Sequence, residues 1–262
     1  MISINILGHF EKQKDEYVCL ALKEEEVDDF LKKLPGEFRK CYISDAKIKE
    51  ITAEFGYAYE DIIQNYYTPI PGNVMSGEFG EILSYFILQE YFLPKEISGP
   101  KKWRWKDDKD KPIHKTDVML FHQNETPSQD DMVIAAEVKS KATKNNNYDP
   151  VVNAVEGVKD DYIRRLGTSL TWLKAKYIKD GNVNEVDNLI RFLDPVNYGS
   201  FKKEFKAIVV IDSSFLDHEI QRERELAEVG TEYEVIFISI KDLKLIYEDT
   251  YRNVIMSGCD IE

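Results

Sequence analysis

Met132-Val133-Ile134-Ala135-Ala136-Glu137-Val138-Lys139-Ser140 runs apolar for five residues and then turns charged. An apolar run without polar alternation is the pattern of a central strand covered on both faces. Residues two apart on a strand project from one face, so Glu137 and Lys139 point into a common site. Two charged groups leaving such a strand are costly to bury without a partner, a metal or a substrate phosphate. Upstream, Thr116-Asp117 lies in a second expected strand, Ile113–His122. If the two strands pair as a hairpin, the carboxylates of Asp117 and Glu137 meet at one end of a sheet.

Working outward, Ser76-Gly77-Glu78-Phe79-Gly80-Glu81 reads as the start of a helix to about Phe92. Ser76 serves as N-cap, and Phe79, Ile82, Leu83, Phe86 and Ile87 fall at helical spacing. Lys101-Lys102-Trp103-Arg104-Trp105-Lys106 alternates basic and aromatic residues, as a strand exposed on one face would. A long helical region spans about Val151 to Lys179. Strand Ala207–Asp212, helix Asp217–Glu228, strand Tyr233–Ile240 and a helix from Lys241 follow. This order predicts an α/β fold, a mixed sheet flanked by helices. Residues 1–72, with short β-like runs (Ile2–Leu7, Tyr17–Leu22) and helices near Glu24–Leu34 and Asp45–Phe55, read as an N-terminal α/β accessory region. Pro69, Pro71 and Gly72 mark its boundary with a core over 73–262.

Oxygen ligands in a small cluster suit Mg²⁺ or Mn²⁺ and not Zn²⁺. The implied chemistry is metal-assisted hydrolysis, with Lys139 holding the attacking water or offsetting transition-state charge. Glu-x-Lys recurs at Glu204–Lys206, but there it precedes an apolar run, whereas Glu137 and Lys139 end theirs. Glu78 and Glu81, three apart, share a helical face. Glu81 is preferred as a third metal ligand and Glu78 is the alternative. Gly77 and Gly80 are expected to allow close approach of a strand. Lys141, Lys144, Arg164 and Arg165 are candidate contacts to a nucleic-acid backbone. Trp103 and Trp105 are read as packing residues, with base stacking as the alternative. His114 is read as structural. No Ser-His-Asp order, phosphate loop or Rossmann fingerprint is present.

Bulk composition frames these readings. Of 262 residues, 43% are hydrophobic and 12% aromatic, which suits a well-buried core and argues against disorder. No apolar run approaches the roughly 18 residues that span a bilayer. The N-terminus shows no export signal, and the dispersed Cys19, Cys41 and Cys259 read as reduced thiols of a cytoplasmic protein. A net charge of −13 runs against free-standing affinity for nucleic acid. Yet residues 93–180 hold 17 Lys and Arg against 14 Asp and Glu, so the least acidic part carries the motif.

Gly77-Glu78-Phe79-Gly80-Glu81, Thr116-Asp117 and Glu137-Val138-Lys139 together resemble the PD-(D/E)XK nuclease superfamily, with Thr116 where proline is usual. The stretch from about Gly77 to Lys141, including Trp103-Arg104-Trp105, resembles the HamA family, nuclease subunits of Hachiman anti-phage defence. The resemblance implies a restriction-endonuclease-like fold and a Mg²⁺-dependent DNase bound to a superfamily-2 helicase, HamB. It makes Asp117 and Glu137 metal ligands, Lys139 the catalytic lysine, and Glu81 or Glu78 the helix acid. It also implies that the helicase senses damage or phage replication and that the nuclease is restrained until then. Docking of the helicase is assigned to residues 1–72. The alternatives are a catalytically silent helicase-binding subunit and a stand-alone restriction-like enzyme.

Overall fold

Six strands form one mixed sheet in the computed structural model, which describes residues 5–13, 18–226 and 233–257. β1 (Phe10–Lys12) and β2 (Val18–Leu22) come from the N-terminal region, and β3 (Val118–His122) and β4 (Met132–Lys141) from the middle. β5 (Lys202–Asp212) and β6 (Glu234–Ile240) complete the sheet in the order β1-β2-β6-β5-β4-β3. The four inner strands are parallel, and each edge adds one antiparallel strand. Inner parallel strands are buried on both faces. Every side chain over 133–136 and 207–211 is accordingly 0% exposed.

The helices are α1 (Val27–Tyr42), α2 (Asp45–Phe55), α3 (Tyr59–Ile62), α4 (Gly72–Tyr91), α5 (Pro150–Asp160), α6 (Leu166–Lys179), α7 (Val183–Leu193), α8 (Pro195–Tyr198), α9 (Leu216–Leu226) and α10 (Leu243–Met256). Strand alternation divides them into two layers. Ile134, Ala136 and Val138 pack with residues of α1, α4 and α10. Val133, Ala135, Ala207 and Val209 pack with residues of α5, α6, α7 and α9. Among the described residues no helix is long and apolar enough to cross a membrane.

The described residues of the segment 1–72 share this sheet and its core. Leu20 pairs with Ile238, and the Tyr42 hydroxyl of α1 lies 2.8 Å from that of Tyr251 on α10. Pro71 is the residue before α4, and Ser76, expected as its cap, lies in the second turn. The expected strand at 101–106 is a 3-10 turn, Lys102–Trp105. A strand would expose one of two neighbours, whereas Lys102 and Trp103 are both buried, and tertiary contacts override the alternation. The strand expected from Ile113 begins only at Val118, so Asp117 precedes it. Leu7 belongs to a 3-10 turn, Leu7–His9, not a strand, and α7 and α8 were unforeseen. The expected starts at Ile2 and Tyr17, the end at Glu228, and Cys259 lie outside the described residues.

Lys141, expected to reach toward nucleic acid, is buried at the end of β4. Its Nζ donates to Glu219 Oε1 at 2.9 Å, and Glu219 is 0% exposed. Removing one member of a buried pair strands the other charge, so Glu219→Ala is expected to cost about 3–5 kcal/mol in urea unfolding. The apolar pair Lys141→Met with Glu219→Leu is expected to restore most of that loss.

Candidate active site

β3 and β4 run antiparallel with Val118 opposite Ala136, which is the last pair of their ladder. β4 continues to Lys141, paired there with β5 alone. The five residues from Glu137 onward therefore have an open side. Asp117 closes the corner: its Oδ2 accepts the Val138 N–H at 2.9 Å. Around this corner lies a cavity of about 800 Å³, lined by Glu81, Asp117, Glu137, Lys139, Tyr148 and Arg165 among others. His114, expected to be structural, is exposed on its rim in a loop.

Glu137 lies on the α5 side of the sheet and is almost completely buried. Lys139 donates to its Oε1 and Arg165 to its Oε2. Gly157 of α5 makes the space, since a Cβ there would fall 2.5 Å from the Glu137 carboxyl carbon. Burial pushes the Glu137 carboxyl above the usual range, and Asp117 adds to this. Burial alone would lower the Lys139 ammonium, but Asp117 and Glu137 outweigh it and hold it above its ordinary value. Burial likewise raises the Tyr148 phenol.

Glu81 reaches the cavity from the α4 side. It accepts from Trp103 Nε1 at 3.1 Å and lies 3.0 Å from the buried Lys102 ammonium, which is 3.7 Å from Asp117. Burial pushes Glu81 up to about 8; Lys102 opposes this and Asp117 adds to it. Glu78 is directed away, receiving hydrogen bonds from Lys106 and from Tyr42 at 2.7 Å, and is not among the lining residues. Gly80 permits the close approach of α4 to β4, because a Cβ there would collide with the Ser140 hydroxyl. Gly77 meets nothing comparable.

Behind the cavity is a buried group that the sequence did not reveal. A π-helical turn, Asp161–Arg165, joins α5 to α6. Asp161 is 0% exposed and accepts from Thr116 Oγ1 at 2.8 Å and from Arg165 Nε at 2.6 Å. The Thr116 N–H donates to Ser169 Oγ at 3.2 Å. Lys102, Asp161 and Ser169 lie at wide and irregular sequence distances from the motif, so no spacing pattern could have found them. Of the expected backbone contacts, Arg165 is inside the site, Arg164 is exposed and paired with Asp160, and Lys144 is exposed in the loop 142–149. Trp105 packs edge-on to Trp172 and Tyr177.

Carboxylate oxygens are the donors a hard divalent cation takes, and Mg²⁺ commonly uses one or two of them with waters and substrate phosphates. Asp117 and Glu137 offer two such carboxylates on the cavity wall. Glu81, on the other layer, does not close a tight triad with them. Among the described residues the one such set within 4.8 Å is His9, Glu26 and Asp29, none of which lines the cavity. In that set His9 is already satisfied, with Nδ1 at 2.9 Å from Glu26.

Residues 4–254 match the family model HamA. No curated protein matches the chain.

An internal helical Gly→Ala usually gains up to about 1 kcal/mol. Gly157→Ala is expected to do the opposite, losing about 1–3 kcal/mol in urea unfolding because its methyl displaces Glu137. A second test concerns pH. The folded state holds the Glu81 proton more tightly than the unfolded chain, so this group's stability is lost as pH rises from the ordinary carboxylate range toward about 8. Unfolding free energies at about pH 5 and about pH 8 are therefore expected to differ less in Glu81→Gln than in wild type.

Proposed function

The chain belongs to the HamA family and so has a role in Hachiman defence, and we propose that within it the protein is a metal-dependent DNA nuclease working with a superfamily-2 helicase subunit. The observation that carries this reading is the convergence of Asp117, Glu137 and Lys139 on one cavity at the open end of β4. A divalent cation held by Asp117 and Glu137, Mg²⁺ or Mn²⁺, would polarise the phosphodiester and ease ionisation of a water. Lys139 keeps its proton, so its part is to orient that water and offset charge on the phosphate, not to accept a proton. Glu81 with Lys102 sets the charge on the far side of Asp117. Lys139 and Arg165 give the pocket the positive charge that a phosphate requires, despite the acidity of the chain as a whole. That overall acidity favours delivery to DNA by the helicase over independent search. Docking of the helicase is assigned to residues within 1–72.

The test is nicking of supercoiled plasmid in Mg²⁺, with and without the helicase. Wild type is expected to cut, EDTA to abolish cutting, and Asp117→Ala, Glu137→Ala and Lys139→Ala each to reduce it by about 100-fold or more. Indistinguishable behaviour of wild type and all three variants would overturn the nuclease reading. It would leave a helicase-binding subunit without catalysis.

A further inference from the structure

Arg165 is tied to the site in a way that ordinary ion pairing does not explain. Its Nε is fixed at 2.6 Å by Asp161, a carboxylate with no exposure to solvent. Its Nη2 donates to Glu137 and, at 3.0 Å, to the Gly157 carbonyl. Among the described residues its Nη1 donates to nothing, and the side chain is 30% exposed on the cavity wall. The anchored end is buried and the forked end is accessible. A planar guanidinium held at Nε presents its remaining donors in the geometry that matches a phosphate.

The segment that presents it is unusual as well. A π-turn inside a helix costs regular hydrogen bonds, and such turns recur at functional sites. Asp161 and Arg165, four apart within it, lie on one side of the helical rod, facing Thr116 and Glu137. Asp161 in turn is held by the Thr116 hydroxyl, which lies 3.0 Å from the Ser169 hydroxyl. The residue next to Asp117 is thus linked directly to the carboxylate that orients Arg165.

We propose that Arg165 is the phosphate-binding arginine of this site, oriented by the buried Asp161, and that it exchanges Glu137 for a phosphodiester oxygen when nucleic acid enters the cavity. The proposal rests on the nuclease reading above. The exchange breaks one ion pair and forms another, with no proton or covalent bond transferred. It leaves the Glu137 carboxylate free on the side facing the cavity while Asp161 keeps its hold on Nε. Arg165 is then a catalytic residue, and Asp161 is a positioning residue with Thr116 and Ser169 behind it.

Binding of a short DNA duplex, titrated in EDTA at several salt concentrations, tests this without requiring cleavage. Arg165→Gln keeps a donor for Asp161 and so spares the fold. It is expected to weaken binding about tenfold and to lower the logarithmic salt slope by about one. Glu137→Gln releases the arginine and is expected to tighten binding, and adding Arg165→Gln is expected to erase that gain. Asp161→Asn is expected to weaken binding less than Arg165→Gln, with no further loss in the double variant, since both act through one guanidinium. In Mg²⁺, kcat of Arg165→Gln and Arg165→Lys is expected to fall about 100-fold and about tenfold respectively. Wild-type affinity and salt slope in Arg165→Gln would overturn the proposal, leaving Arg165 as a prop for Glu137. So would a Glu137→Gln gain that survives loss of the arginine. A wild type that binds DNA as predicted yet never cuts would defeat the nuclease reading while leaving the role of Arg165 in phosphate binding intact.

Discussion

The hydrogen bond from the Val138 N–H to the Asp117 carboxylate is the contact on which the candidate site depends. In an uninterrupted hairpin, the strand beside β4 would continue to offer backbone acceptors past Ala136. Here a charged side chain takes that role, and a charge-assisted bond of this kind is stronger than the ladder bond it replaces. The backbone of Thr116 is then free to turn away: its N–H goes to Ser169 and its carbonyl to Lys102. Both backbone groups of Thr116 are thereby paired. The strand ends, its neighbour runs on, and the resulting gap is the cavity.

What fills the rim of that gap is expensive. Glu81 with Lys102, Glu137 with Lys139 and Arg165, and Asp161 with Arg165 are all buried or half-buried ion pairs. Replacing such pairs with apolar residues is often neutral or stabilising, so their presence is weak evidence of a stabilising role. Glu81 and Glu137 are both pushed up by burial even with cations beside them, so their ionised forms are costly where they stand. The contrast with Lys141 and Glu219 is instructive. That pair links β4 to a fully buried carboxylate on α9, and although Lys141 borders the cavity its ammonium is held by Glu219.

The legible parts of this architecture were those with local periodicity. An apolar run ending in Glu137 and Lys139 pointed to a central strand, and the helical spacing from Phe79 to Ile87 revealed the body of α4 but not its start at Gly72. The segment around Trp103 misled because alternating basic and aromatic residues imitate a half-exposed strand. Its fold is decided instead by partners at long range: Tyr85 against the ring at 6.0 Å, Glu81 on the indole, and Asp117 near Lys102. Glu78 and Glu81 were indistinguishable by helical position, and only the placement of Lys106 and Tyr42 separates them. Arg165 was legible as a candidate backbone contact, but not as the partner of Glu137 and Asp161. It lies in a π-turn, and nothing in Asp161-Tyr162-Ile163-Arg164-Arg165 announces one.

The same geometry accounts for the use made of threonine at position 116. Proline would restrict the backbone before Asp117 but has neither an N–H nor a hydroxyl to donate. Thr116 uses both, one to Ser169 and one to Asp161, and it is completely buried while doing so. Rigidity at this corner therefore comes from tertiary hydrogen bonds instead of from a ring. Those bonds run to α6 and to the π-turn, so the position of Asp117 is set by the same residues that set Arg165. In this chain the residue before the strand-end acid and an arginine from the helical layer are held by one buried carboxylate, Asp161.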